Sequence, residues 1–238
     1  MGQSGHGTEH LPRHAGAPGP LRSGPLRSEP LRSGPPVGAL KAVAFTLCLA
    51  PLARVLVLAW LERLGANPVE FVTRSSGTWT LVLLLAALAV TPARRLTGWN
   101  GLARIRRMVG LFAFFYACLH LSTYVWLDQW FDWEAIALDV LERPFITAGM
   151  ATWLVLLTLA LTSSDGMVRR LGRRWQRLHR LVYLAGALAI LHYAWHKAGK
   201  NLLGEPLIYG LVLSALLGLR LWWRLRAARR KNPPVLAA

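Results

Sequence analysis

The sequence is poor in acid and nearly devoid of cysteine. Asp and Glu number 11 against 28 Lys and Arg in 238 residues. Only 16% of residues are charged, where soluble domains carry roughly 25%. That is too little polar surface to coat a soluble globule. The two cysteines, Cys48 and Cys118, both fall in apolar stretches, which excludes a disulfide framework. No C-x-x-C-H occurs, which excludes covalently attached c-type haem. No G-x-G-x-x-G unit occurs either, so the fingerprint of a dinucleotide-binding domain is missing.

What is abundant is hydrocarbon. Hydrophobic residues make up 54% of the chain. They come in runs of about 18–22, long enough to cross a hydrocarbon core of about 30 Å as helix. The expected fold is all-α, a polytopic membrane helical bundle. Six spans are expected, at about 38–60, 78–92, 107–127, 146–162, 178–196 and 206–224. Pro51 is expected to kink the first, with a neighbour satisfying the freed carbonyl. Residues 1–36 read differently. "PLRSG", "PLRSE" and "PLRSG" follow one another from Pro20, a Pro/Arg/Ser-rich repeat that can bury no core and is expected to be disordered. His6, His10 and His14 lie in it without a scaffold to hold metal geometry. No cleaved signal peptide is expected, and no internal repeat is apparent beyond this tail.

The net charge of +17 could suggest a nucleic-acid partner. The cations instead sit in short clusters between apolar runs, which is topological information. Most of the Lys and Arg fall in the tail, around 94–107, around 169–180 and after the sixth span, while most acids fall in the alternate loops. Both termini are therefore expected on the cytoplasmic side. The domain organisation reads as a tail at 1–36, a transmembrane domain at 37–226 and a cytoplasmic tail at 227–238. The acidic, aromatic loop 128–145, "DQWFDWEAIALDVLERPF", is an interfacial belt with its acids in water, or a docking surface for a partner outside the membrane.

Histidines inside apolar spans are costly and call for an explanation. His120 and His192 each lie 13 residues beyond the basic end of their span, about 20 Å along a helix. They share a depth on two helices, which suits axial ligation of a b-type haem iron. His179 stands alone near the opposite face. His196, one turn beyond His192, reads as an interfacial or supporting residue. A zinc site would want three or four clustered ligands, and no such cluster is visible. Lone membrane histidines can also hydrogen-bond a carbonyl or relay protons, so a proton-coupled transporter stays open on these residues alone.

"RIRRMVGLFAFFYACLHLSTYVWLD", "RPFITAGMATW", "TSSDGMVRRLGRRWQRLHRLVYLAGALAILHYAW" and "EPLIYG" resemble the MsrQ family of haem-binding membrane subunits, within the ferric-reductase-like transmembrane superfamily. The resemblance covers about 38–225. It implies a multi-pass protein of the bacterial inner membrane that draws electrons from respiratory quinol. The implied recipient is a periplasmic molybdopterin-dependent MsrP, a methionine sulfoxide reductase that repairs oxidised periplasmic proteins. It implies one or two b-type haems, with His120, His179 and His192 as iron ligands, and an associated FMN whose contacts are not assignable, like those of the quinone. The chain would then be the electron-transfer subunit of an oxidoreductase complex, with no substrate site of its own. Where related proteins carry a second inner histidine, Arg107 stands here, beside Arg106. The alternative within the superfamily is a ferric reductase fed by a separate flavoreductase.

Overall fold

The computed structural model describes residues 36–199 and 202–231. Nearly all of the expected tail, with His6, His10 and His14, lies outside them, as does 232–238. Among the described residues every regular element is helical. The order is α1 Val37–Trp60, α2 Pro68–Thr97, α3 Arg106–Ser122, α4 Trp133–Glu142, α5 Pro144–Leu161, α6 Asp165–Leu171, α7 Arg173–Leu178, α8 Leu181–Ala198 and α9 Gly204–Lys231. A 3-10 turn, Asn100–Arg104, leads into α3, and a π-helical turn, Thr123–Asp128, extends it. Among the described residues five segments are long and apolar enough to cross a membrane: α1, α2, the run from Asn100 to Asp128, α5 and α9. The chain is an all-α polytopic membrane protein. The remaining expected span, α8, is not among them; its 18 residues include His192, His196 and Lys197.

The polar ends are longer than the apolar runs suggested. The second span was expected to open at 78, but α2 starts ten residues earlier, at Pro68. Asn67 caps it by accepting from the Glu70 N–H at 3.1 Å, and Pro68 has the fixed φ that suits a first helical position. Gly98, at φ 70°, ends it in the left-handed conformation that a glycine adopts without penalty. The fifth expected span, from 178, is split. Leu178 closes α7, and α8 begins at Leu181, leaving His179 in the turn between them. The last helix also runs past the expected boundary at 226, to Lys231.

Two prolines interrupt backbone ladders, and a polar side chain from another helix bonds backbone groups near each. In α1, beside Pro51, the Tyr116 hydroxyl stands between Cys48 and Leu52. It donates to the Cys48 carbonyl at 2.9 Å and accepts from the Leu52 N–H at 3.0 Å. In α2, Pro92 has no N–H to give the Leu88 carbonyl. That carbonyl accepts instead from the Arg220 guanidinium on α9, which also donates to the Tyr183 hydroxyl on α8. Arg220 therefore ties three helices together, beyond any part in topology.

The core lies where α2 meets α3 and α5 meets α8, the two most extensive helix pairings. Leu84 and Leu88 are almost inaccessible. Ala113 and Ala185 are fully buried, which lets neighbouring helices approach closely. These pairings are copies of each other. "AFFYACLH" at 113–120 and "AGALAILH" at 185–192 share A-x-x-x-A-x-L-H. The helices they pack against, α2 and α5, share a Gly-x-x-Thr at Gly77/Thr80 and Gly149/Thr152. The offset is constant (192 − 120 and 149 − 77 both give 72). Thr80 and Thr152 even make the same bond, each to the carbonyl four residues back, at 2.9 and 2.8 Å. The expectation of no internal repeat is thus corrected. Only spaced small residues and the histidine persist between the copies, too few to stand out in the sequence.

The loop 128–145 is built around α4. Asp132 caps it through the Ala135 N–H at 3.0 Å, after a tight turn in which Trp130 and Phe131 take φ 48° and 64°. Asp139 does not face water as expected. It accepts from the Tyr124 hydroxyl at 2.9 Å and from the Gln129 amide at 3.0 Å, and pairs with Arg143 at 3.2 Å. Trp126, Trp130 and Trp133 stay exposed.

Candidate functional site

His120 lies in the last turn of α3, and His192 lies two-thirds along α8. The fold brings them together, with ring centroids 6.1 Å apart and planes at 75°. Each imidazole is held in the same way. His120 Nδ1 bonds the Thr73 carbonyl at 2.9 Å, and His192 Nδ1 bonds the Phe145 carbonyl at 2.6 Å. A carbonyl only accepts, so both Nδ1 atoms carry the proton. Both Nε2 atoms are then left with a free lone pair, the form a metal ligand needs.

Glycine makes room for each ring. A Cβ at Gly77 would stand 3.0 Å from His120 Cε1, and one at Gly149 would stand 2.9 Å from His192 Nδ1. Each imidazole therefore lies directly on the backbone of the facing helix. That helix supplies both the carbonyl and the bare glycine four residues later. Sequence reasoning missed Thr73, Gly77, Phe145 and Gly149. Their signal was the 72-residue offset.

The donor set fits a haem iron. Two imidazoles with nitrogens about 2 Å from a shared metal would have ring centres roughly 6 Å apart, close to the observed spacing. Among the described residues no group of three or more His, Cys, Asp and Glu could hold a metal ion. His196 lies beside the pair. The Phe145 ring contacts both imidazoles of α8, 6.2 Å from His192 and 5.7 Å from His196.

His179 is not brought to this pair. Its ring stacks on Trp175 at 3.9 Å and 25°. Trp175 is in turn fixed by donating to the Thr162 carbonyl at 2.9 Å. His179 Nε2 is 3.5 Å from the Ser163 hydroxyl, while its buried Nδ1 has no hydrogen-bond partner. The 72-residue offset pairs His179 with Arg107. Arg107 is engaged in an ion pair with Asp165, at the start of α6. The His120 and His192 imidazoles are therefore symmetrically held, while the position equivalent to His179 carries Arg107.

Residues 76–190 match the family model described as the ferric reductase like transmembrane component. This stretch contains His120 and His179, along with the repeated A-x-x-x-A motif. Curated relatives extend the likeness over most of the chain. A protein of Ralstonia nicotianae is 55% identical over 193 residues, 81% of this chain and 89% of its own length. One of Bordetella pertussis is 56% identical over 196 residues, covering 82% and 95%. One of Rhodospirillum rubrum is 51% identical over 195 residues, covering 82% and 93%. Each is named a protein-methionine-sulfoxide reductase heme-binding subunit MsrQ. No solved structure matches.

Proposed function

The chain belongs to the MsrQ family of haem-binding subunits, and from that premise we propose that it is a transmembrane electron conduit. It takes electrons from the respiratory quinone pool and delivers them to a periplasmic molybdopterin-dependent methionine sulfoxide reductase of the MsrP kind. The observation that carries this reading is the pair His120 and His192, 6.1 Å apart, each with Nδ1 committed to a carbonyl. In this reading the two Nε2 atoms hold a b-type haem, which when bound supplies reversible one-electron chemistry.

The protein's share is positional. The Thr73 and Phe145 carbonyls fix the tautomer and aim of the ligands. Gly77 and Gly149 let the rings recede into the helix surface. His179, with its orphaned Nδ1 and its stacked Trp175, is the candidate ligand of a second haem. Arg107 leaves that haem without the matching imidazole.

The cation distribution supports six crossings with both termini on the cytoplasmic side of the inner membrane. His120 and His192 then lie in the periplasmic half, on the side of the acceptor. The test is spectroscopic. Purified protein should show a Soret band and, after dithionite, a b-type α band. His120→Ala and His192→Ala should each abolish one low-spin component, and His179→Ala should leave that component in place. Survival of the full low-spin spectrum in both of the first two variants would overturn the pairing.

A further inference from the structure

A groove of about 590 Å³ lies between α1, α3 and the start of α6. Its floor is apolar, formed by Met108, Phe112 and Phe115. Phe112 meets Phe45 and Phe115 edge-on, at 5.3 and 6.2 Å, so the floor is a fixed aromatic surface. The rim is cationic, with Lys41, Arg104 and Arg107. Arg107 is paired with Asp165. Among the described residues neither Lys41 nor Arg104 has a carboxylate partner.

Topology accounts for cations between spans. It does not account for cations gathered around an aromatic trough. The trough opens beside α1, whose most apolar stretch is only 11% buried, so lipid reaches its wall. A ligand that satisfies the whole groove has two parts, anionic oxygens for the rim and hydrocarbon for the floor. Free phosphate would leave Phe112 and Phe115 uncovered. A zwitterionic lipid would bring its own cation against Lys41 and Arg104. Basic pockets at the ends of membrane helices favour acidic headgroups for this reason. We propose that this groove seats an acidic phospholipid, with its phosphate between Lys41 and Arg104 and an acyl chain along Phe112 and Phe115.

The experiment is native mass spectrometry of the purified full chain, exchanged with phosphatidylglycerol or phosphatidylcholine of the same acyl composition. The expected result is one retained phosphatidylglycerol, preferred over phosphatidylcholine on the order of tenfold. Lys41→Gln with Arg104→Gln should remove that preference. Phe115→Ala should weaken retention of either lipid. Arg229→Gln with Arg230→Gln removes the same charge from the end of α9 and should change nothing. Size-exclusion profiles establish that each variant is folded. Inorganic phosphate at millimolar concentration should not displace the lipid. Equal retention of the two lipids, an equal loss in the α9 variant, or displacement by phosphate alone would each overturn the proposal.

Discussion

Gly149→Ala is the sharpest small perturbation the geometry allows. The added methyl would sit 2.9 Å from His192 Nδ1 and 3.0 Å from Cε1, whereas unstrained carbon contacts lie at about 3.5–4.0 Å. The imidazole must retreat by roughly half an ångström or more. Its 2.6 Å bond to the Phe145 carbonyl runs beside that contact, so the retreat strains the bond that sets the tautomer. Overpacking of this kind costs about 1–3 kcal/mol, and the weakened hydrogen bond adds about 0.5–1.5 kcal/mol. The gain in helix propensity from glycine to alanine is at most about 1 kcal/mol the other way. Loss of groups that orient a metal ligand typically lowers metal affinity about 10–100-fold. The assay is haem content per protein, with a redox titration of the low-spin band. Gly149→Ala should lose haem and shift the midpoint. Gly77→Ala, with contacts of 3.0 and 3.1 Å to His120, should behave alike. Gly110→Ala on α3 meets nothing within 4 Å and should be silent. Full haem content and an unchanged midpoint in Gly149→Ala would refute the reasoning.

Tyr116→Phe removes the hydroxyl that serves Cys48 and Leu52 in α1 and should cost about 1–3 kcal/mol; an unchanged thermal midpoint in detergent would count against that repair. Acid should loosen the link between α3 and α6. The Arg107 guanidinium, by its hydrogen bond first and its charge second, holds the Asp165 carboxyl below its ordinary value of 3.8. A depressed folded value means the contribution is fully present above 3.8 and is lost as pH falls through the lowered value. Asp165→Asn should flatten the acid side of the stability profile, and an identical profile would rule the pair out. The effect is small, since the carboxyl is exposed.

Much of the fold could be read from the apolar runs, because a hydrocarbon core of fixed thickness demands them. The proximity of His120 and His192 was legible for the same reason, since depth follows from counting residues along each span. Three things were not legible. The polar first turns of α2 carry no hydropathy signal, yet a cap and a proline define them. The inward turn of Asp139 depends on Tyr124 and Gln129, which only the π-helical turn brings within reach. The carbonyl and glycine that seat each histidine are backbone features, and a pattern of side chains records them only through the spacing of its copies.

Arg220 and Pro92 have a consequence for how this sequence can vary. Restoring an N–H at position 92 would return the Leu88 carbonyl to its own helix. Judged on α2 alone, Pro92→Ala is an improvement. It would nonetheless make the restored N–H share the Leu88 carbonyl with the Arg220 guanidinium, which the Tyr183 hydroxyl also holds. The two residues are coupled through one carbonyl oxygen. The stability cost of either substitution therefore depends on the other residue, and a double-mutant cycle of Pro92→Ala with Arg220→Met should be non-additive.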